Sequence, residues 1–383
     1  MSLLNVKFGN KVYLAKYESP KPTVTIGGRK YPIVQIGRQW WMAENLALEV
    51  GDYKYYLDDK SNYLYKGCYY SGYAITNVAS NIPNGWRIPT ENDFNSLISV
   101  SGSTSQEASS NLRSVSTWTT PGTNRSGFDA KSFGRYNKGS STWYDAGCIM
   151  WTSNQISLPT TPDVISTGFR ICDISNSSIS ITDAYINWMQ AIRLCKDATV
   201  NIGGRDYPTT RIGNQVWLAE NLDWKIDGVE YAPPGVPSTP AAWYYDNSES
   251  YQSTGLLYNW YSVAIINAAL PDGWRVPSTA DFDILAENVG GTENAGRALK
   301  STTDWASYLG TDKYGFTALP TGFRNIDGLY PDRLTNQNTN YWITEEFSSV
   351  NGAHIRVNAS TNELLFLDSK KERGYSIRLV KNI

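Results

Sequence analysis

Histidine is almost missing from this chain: His354 is the only one in 383 residues. Histidine suits proton transfer near neutral pH and is the commonest ligand of transition metals. The neighbours of His354, from Gly352 to Arg356, include neither a nucleophile nor an acid that could orient its ring. This scarcity argues against most zinc, copper and non-haem iron sites and against a histidine-dependent catalytic site. We expect no metal and no cofactor.

Cysteine is also scarce, and no two of the four cysteines have the C-x-x-C spacing of zinc ribbons or thioredoxin-like sites. Structural or disulfide-bonded cysteines are therefore expected at Cys68, Cys148, Cys172 and Cys195. The preferred disulfide joins Cys172 to Cys195, because both lie in strand-like closing segments. Such a bond would indicate an oxidising compartment.

Charge is low in amount and balanced in sign. Charged residues make up 18% of the chain, where about 25% is usual, and the net charge is −2. No basic field is present to attract a phosphate backbone, so we expect no nucleic-acid partner. No stretch approaches the ~20 apolar residues of a membrane-spanning helix, and no signal peptide is recognisable. Residues 1–22 are interpreted as an N-terminal strand or the remnant of a leader.

The common enzyme signatures are absent too, including the phosphate-binding, dinucleotide-binding, zinc-protease and nucleophile-elbow motifs. What the chain has in quantity is aromatic residues: 14 Trp, 26 Tyr and 10 Phe, or 13% of the total. That composition is typical of a globular protein, and the length predicts two or three domains.

The chain contains an internal duplication. Residues 23–46 and 199–222 are identical at 16 of 24 positions without a gap, and the similarity continues through NGWRIPT and DGWRVPS to the closing I-R-L segments. The period is too long for a solenoid. We therefore predict two tandem domains, over residues 23–197 and 199–383.

Positions that are kept in both repeats are those that the fold is expected to require. The kept glycines indicate turns, and the kept tryptophans favour a core because of their large apolar area. We interpret this set as structural rather than ligand-binding. Its principal members are Trp41, Trp217, Trp86, Trp274, Arg87 and Arg275.

Local patterns predict the same elements in each repeat. Short β-type runs separated by Gly-Gly pairs indicate tight hairpins. Two helices follow: one in the apolar run that is clearest at residues 256–266, and one after Pro89 or Pro277, where Thr90 or Ser278 can cap it. Long polar loops and short strands complete an α+β domain.

These motifs resemble a known family. The pattern I-G-x-Q-x-W-[ML]-A-E-N-L at 36–46 and 212–222, followed by GWR[IV]P[ST], is similar to the Fibrobacter succinogenes major paralogous domain. The resemblance implies a secreted or surface protein of Bacteroides-like bacteria, often a lipoprotein, so a lipid anchor is expected on an N-terminus missing from this chain. The location that follows is extracellular or on the outer-membrane surface.

A more distant resemblance, carried by the R-[IV]-P-[ST]-x-x-[DE]-[FW] stretch, is to the formylglycine-generating-enzyme and C-type-lectin-like superfamily. It implies a C-type-lectin-like fold for each repeat. Oxidase activity is not implied, since the second repeat has no cysteine. Calcium-dependent sugar binding is not implied either, since the E-P-N, Q-P-D and W-N-D signatures are absent.

The function that fits these observations is a non-catalytic, adhesin-like surface module whose ligand is a glycan or a protein. Loops vary over a rigid scaffold, and an aromatic beside hydrogen-bonding side chains suits a sugar ring. The candidate residues are Trp143, Tyr144 and Asp145 in the first repeat and Trp243, Tyr244, Arg324, Asn325, Asp327, Tyr330 and Asp332 in the second. Packing of these aromatics within their own loops is the structural alternative.

Two other functions stay open. A structural surface or fimbrial subunit would need contact surfaces that one sequence does not reveal. A carboxylate-dependent enzyme acting on glycans would draw on Glu44 and Glu220, which recur in both repeats. Because no second acid recurs near them, we expect the protein not to be an enzyme.

Overall fold

The structure is a computed structural model that describes residues 2–8, 11–17, 21–161, 164–331 and 336–383. About 20% of the chain is helical and 36% lies in strands, most of them antiparallel. The predicted α+β class is therefore confirmed. The Cα positions divide the chain into two compact units, one made of Met1–Val34, Trp41–Phe94 and Thr104–Cys195, the other of Gln35–Trp40, Asn95–Ser103 and Lys196–Ile383.

The described elements up to residue 197 form four sheets, in the orders β1-β2, β14-β5-β4-β3, β6-β7-β13-β8-β9 and β10-β11-β12. The strands are β1 (Ser2–Phe8), β2 (Lys11–Tyr17), β3 (Thr23–Ile26), β4 (Arg29–Ile36), β5 (Gln39–Met42), β6 (Tyr53–Tyr55), β7 (Cys68–Ser71), β8 (Arg135–Asn137), β9 (Thr142–Tyr144), β10 (Cys148–Thr161), β11 (Val164–Ile174), β12 (Ile179–Tyr185), β13 (Trp188–Gln190) and β14 (Cys195–Asp197). The helices are α1 (Tyr63–Lys66), α2 (Ile75–Ala79), α3 (Glu91–Ser101) and α4 (Ser105–Leu112).

The part of the second repeat that the structure describes forms three sheets, in the orders β15-β16-β17-β25-β21, β18-β19-β20 and β22-β23-β24. The strands are β15 (Thr199–Ile202), β16 (Arg205–Ile212), β17 (Gln215–Leu218), β18 (Glu230–Tyr231), β19 (Ala241–Trp243), β20 (Leu257–Tyr258), β21 (Trp274–Arg275), β22 (Asn338–Glu346), β23 (Asn351–Asn358), β24 (Leu365–Lys370) and β25 (Val380–Asn382). The helices are α5 (Ser262–Ala269), α6 (Thr279–Asn288) and α7 (Thr292–Leu299).

The opening hairpins form where the sequence predicts them. In the second repeat β15 pairs with β16, and Ile202 lies opposite Arg205. The two residues between them, Gly203 and Gly204, have φ angles of +59° and +87°. Only glycine adopts that left-handed region readily, which explains why the Gly-Gly pair is kept in both repeats.

A buried arginine anchors each repeat. Arg378, from the closing I-R-L segment, is fully buried and donates hydrogen bonds to Asn221 Oδ1 at 2.7 Å and to the Leu218 and Thr317 carbonyls at 2.9 Å each. Arg193 makes the matching bond to Asn45 Oδ1 at 2.9 Å. The asparagine of the repeated A-E-N-L motif therefore holds an arginine in the core.

The kept tryptophans differ in burial. Trp41 and Trp217 are fully buried. Trp217 packs against Phe282 and Phe316, with ring centroids 5.0 and 5.7 Å away. Trp86 and Trp274 are only half-buried at the edges of the cores.

The helix predictions need two corrections. Each repeat has a further helix, α4 or α7, where long loops are expected from the sequence, and the first repeat also has the short helix α1. Ser-rich residues 105–112 carry little helical signal, yet Thr104 caps α4 through the N–H of Glu107 at 3.1 Å. The first helix also begins later than predicted, because the apolar run at 256–266 first forms strand β20 and only then α5. The strands are not all short either, since β10 has 14 residues.

The predicted disulfide between Cys172 and Cys195 is wrong. All four cysteines are free and buried. Cys172 lies in β11, opposite Met150 and Ile181, whereas Cys195 lies in β14, beside the opening hairpin. Ala191 in the closing segment still bonds to strand β10, but Cys195 lies further along, where the segment pairs with β5, and the two thiols are therefore in different sheets.

Within the described ranges, the helices are too short or too polar for any of them to cross a membrane.

Candidate functional site

The first-repeat candidates lie around a cluster of aromatic rings. Trp143 is half-buried, and its ring lies 5.0 Å from Tyr56 and 4.9 Å from Tyr136. Asp145 accepts a hydrogen bond from the Tyr56 hydroxyl at 2.5 Å. Tyr144 is 45% exposed. Trp143 and Asp145 thus hold their own loop in place, and Tyr144 and Asp145 are both exposed.

Most of the second-repeat candidates are brought together. The Arg324 guanidinium lies 4.1 Å above the ring of Trp243 and donates to the Gly235 carbonyl at 2.7 Å. The hydroxyl of Tyr330 donates to Asn247 Oδ1 at 2.6 Å. Both Arg324 and Trp243 are buried, so they support the nearby surface from beneath.

Asn325 and Asp327 build a tight turn beside them. Asn325 Nδ2 donates to Asp327 Oδ2 at 3.0 Å, and the N–H of Leu329 donates to Asp327 Oδ1 at 2.9 Å. These hydrogen bonds lower the pKa of Asp327. Asp332, the last candidate, lies outside the described residues.

Two adjoining clefts open on this surface of the second repeat. Cleft A has a volume of about 240 Å³ and is lined by Lys225, Tyr231, Ala232, Ala242, Trp243, Tyr244, Asn247, Glu249 and Leu256. Cleft B has a volume of about 270 Å³ and is lined by Ile202, Gly203, Arg205, Tyr207, Asp223, Trp224, Lys225, Tyr244, Glu249 and Gln252. Lys225, Tyr244 and Glu249 border both clefts.

Asp223 is the centre of the polar groups in cleft B. Its side chain is 3% exposed and accepts hydrogen bonds from the Tyr244 hydroxyl at 2.8 Å and from Gln252 Nε2 at 3.0 Å. Arg205 pairs with the same carboxylate at 3.2 Å. Burial and the bond to Asp223 raise the pKa of the Tyr244 hydroxyl, so this group remains a protonated donor.

Trp224 forms an apolar wall of cleft B. Its indole lies against the Gly203 backbone so closely that a Cβ on Gly203 would lie 1.9 Å from Nε1. The backbone of Trp224 is held by the Tyr258 hydroxyl, which accepts from its N–H and donates to its carbonyl, both at 2.9 Å. Within the described ranges the indole N–H itself has no hydrogen-bond partner.

The first repeat shows which of these features are new. Tyr70 holds the backbone of Leu48 by the same pair of bonds, at 2.9 and 2.8 Å, so Leu48 is the equivalent of Trp224. The residue before it is Ala47, which makes Ala47 the equivalent of Asp223. The polar centre and the aromatic wall of cleft B therefore belong to the second repeat alone.

Cleft A also depends on a feature of the second repeat. The connection from Asp223 to strand β19 takes residues 223–240, whereas the equivalent connection in the first repeat takes residues 47–52. The additional chain forms strand β18, which pairs in parallel with β19 and supplies Tyr231 and Ala232 to the cleft. Ala232 has a φ angle of +50°, a strained conformation for alanine of the kind that clusters at functional sites.

One supporting contact recurs with its partners exchanged. Trp243 and Arg324 occupy the places that Lys54 and Tyr136 have in the first repeat. The first pair puts an arginine 4.1 Å above an indole, and the second puts Lys54 Nζ 4.8 Å above the Tyr136 ring. Both repeats keep a cation over an aromatic ring, but the position that holds the cation in one repeat holds the aromatic residue in the other.

A surface ion pair recurs in the same manner. Lys225 pairs with Glu249 at 3.3 Å, and in the first repeat Glu49 pairs with Lys60 at 3.1 Å. Lys225 follows Trp224 as Glu49 follows Leu48, so these positions correspond and the charges are reversed. The pair, rather than either residue type, is what the two repeats share.

Glu44 and Glu220 have structural partners. Glu44 pairs with Arg29 at 2.9 Å and Glu220 with Arg205 at 2.6 Å, next to the opening hairpin of each repeat. The glutamates that both repeats keep thus stabilise the strand ends through ion pairs.

Several lining residues are missing from the candidates that the sequence suggests. Trp243 and Tyr244 are named there, but Asp223, Trp224 and Tyr231 are not. The signal that could have found them is the additional length of residues 223–240, because a segment present in only one repeat is free to build a ligand site.

Residues 34–170 and 210–381 match the Fibrobacter succinogenes major domain. These segments cover most of the chain, so the protein belongs to this family, as a tandem pair of its domains. The family is one of surface-associated paralogous domains. No curated protein and no solved structure matches the chain.

Proposed function

We propose that the protein is a non-catalytic carbohydrate-binding module and that its second repeat binds the ligand in clefts A and B. The observation that carries this proposal is the convergence of Trp224, Tyr231 and Tyr244 with the polar groups of Asp223 and Gln252 in one concave surface. Sugar rings have apolar faces and a hydroxylated rim, and this surface offers both kinds of contact.

The electrostatics favour an uncharged ligand. The charged side chains that line the clefts are two cations, Arg205 and Lys225, and two carboxylates, Asp223 and Glu249. These charges balance and are paired with one another. A neutral glycan fits such a surface better than an anionic one.

Family membership supports a place for this module at a bacterial surface, outside the cell or on the outer membrane, where glycans are accessible. The proposal also includes a C-type-lectin-like fold for each repeat. The cleft chemistry supports binding without catalysis, because the carboxylate of Asp223 is already committed to three partners.

A glycan array with matched variants tests the proposal. Trp224→Ala removes the aromatic wall of cleft B and is expected to abolish recognition, whereas Leu48→Ala makes the equivalent change in the first repeat and is expected to leave recognition intact. Melting temperatures of both variants show that they are folded. Binding that survives Trp224→Ala and Gln252→Leu, or no binding to any glycan, would contradict the proposal.

A further inference from the structure

Clefts A and B are each smaller than a usual small-molecule pocket. Small-molecule pockets usually have volumes of about 300–1,000 Å³. Clefts of about 240 and 270 Å³ fall below that range singly and within it together. A ligand that occupies both would have to pass the residues that they share.

Of the three shared residues, one is fixed and two can move. Tyr244 is 7% exposed, and its hydroxyl is bonded to Asp223. The side chains of Lys225 and Glu249 are 51% and 80% exposed. Exposed ion pairs contribute little net stability, so this one can open without cost to the fold.

The ion pair is nevertheless kept in both repeats with its charges reversed, as Lys225–Glu249 and as Glu49–Lys60. An incidental surface contact is not expected to survive a reversal of both charges. A link between these two positions is therefore kept, whichever end carries the positive charge.

We propose that one uncharged oligosaccharide of at least two sugar units lies across clefts A and B, and that the Lys225–Glu249 pair closes over the chain as a strap. This inference rests on the proposed glycan binding. Tyr244 forms the floor between the two sugar units. Trp224 contacts the unit in cleft B, and Asn247 contacts the unit in cleft A.

The length dependence is measured by calorimetric titration with glucose, xylose and mannose and with their β-1,4- and α-1,4-linked oligomers of two to six units. For the sugar that binds, affinity is expected to rise at least about tenfold from one unit to two or three and then to level off. No binding by any of these sugars would count against the proposed function itself. Binding whose affinity is the same for one unit and for six would overturn the two-cleft inference alone.

Each cleft has a variant and a control. Trp224→Ala in cleft B and Asn247→Gly in cleft A should each lower the affinity for the trisaccharide about tenfold or more. Glycine accepts the left-handed φ of +51° at Asn247, so that change keeps the backbone. Leu48→Ala and Asp58→Gly, the equivalent changes in the first repeat, should have no effect. An unchanged affinity in either cleft variant would overturn the proposal.

The strap is tested by charge. K225E places two carboxylates opposite each other and should open the strap, which speeds the association of the hexasaccharide severalfold in surface plasmon resonance. The double exchange K225E/E249K copies the arrangement of the first repeat and should restore the original rate. Equal association rates in all three proteins would show that the pair is not a strap.

Discussion

His354 is a buried residue that has no part in the proposed binding site. It is 1% exposed, it packs beside Trp342 and Tyr375, and within the described ranges neither ring nitrogen has a hydrogen-bond partner. Burial, together with the charges of Arg356 and Arg373, lowers its pKa to about 3. It is therefore neutral in the folded protein at every physiological pH.

This burial predicts a loss of stability in mild acid. The unfolded chain protonates His354 near pH 6.5, whereas the folded protein does not until pH is about 3, so the free energy of unfolding falls as pH drops below 6.5. The loss is expected to be on the order of 2 kcal/mol between pH 7 and pH 5. Urea denaturation across this range measures it.

The first repeat supplies the control. Ile171 lies opposite Trp151 as His354 lies opposite Trp342, so His354→Ile restores the residue that the other repeat has. This variant should lose that part of the acid sensitivity while glycan binding stays unchanged. An identical pH dependence in both proteins would mean that His354 does not set it.

The buried arginines predict a large and matched loss of stability. Arg378→Met would leave the carbonyls of Leu218, Phe316 and Thr317 without their donor in the core. We expect a cost of about 3 kcal/mol or more, and a similar one for Arg193→Met in the other repeat. Arg297→Met at the end of α7 is the control, and a cost at Arg378 no larger than that would contradict the anchoring role.

The two kinds of kept tryptophan should also differ. Trp217 is fully buried, so Trp217→Ala is expected to cost about 3–5 kcal/mol through the cavity that it leaves. Trp274 is half-buried, and Trp274→Ala should cost clearly less. Chemical denaturation of the two variants compares them, and equal costs would contradict the difference in burial.

At the scale of elements, the start of helix α6 is held by a reciprocal cap. Ser278 accepts a hydrogen bond from the N–H of Asp281, and the Asp281 carboxylate accepts from the N–H of Ser278 at 2.9 Å. Ser278→Ala should cost about 1 kcal/mol. Ser278→Thr copies the cap that Thr90 provides in the first repeat, and it should be nearly neutral. Thermal denaturation distinguishes the two, and a neutral alanine variant would exclude a role for the cap.

The sequence predicts elements well where local chemistry decides the structure. The opening hairpins and the caps at Thr90 and Ser278 follow from Gly-Gly pairs and short polar side chains, and they occur as predicted. Helix α4 is missed because long-range contacts stabilise it: Ser105 and Ser109 bond to the carbonyls of Ile179 and Ser175. Such contacts leave no local periodicity.

At the scale of the whole molecule, the four buried thiols predict a protein that is inert to thiol reagents until it unfolds. Burial raises the pKa of Cys68 to about 12 and that of Cys148 to about 11, so neither is a thiolate at pH 8. A chromogenic disulfide reagent should react with four thiols in denaturant and only slowly with the native protein. A rapidly reacting thiol, or a disulfide found by mass spectrometry, would contradict this.

The candidate site is only partly predictable from the sequence. The aromatic pair Trp243 and Tyr244 is recognisable because it differs between the repeats. Asp223 and Trp224 are not, because they follow directly after the most similar segment and look like part of it. Asp223 and Trp224 line a cleft only because of the way residues 223–240 fold, and the sequence alone does not reveal that path.

The exchanged pairs have a consequence for anyone who recombines these repeats. A chimera that carries Trp243 into the first repeat without Arg324 would set an indole against Tyr136 and discard a cation–aromatic contact on which both parents rely. An alignment read column by column scores these positions as simple mismatches. The two residues of such a pair depend on each other, so both have to be transferred together if the contact is to be kept.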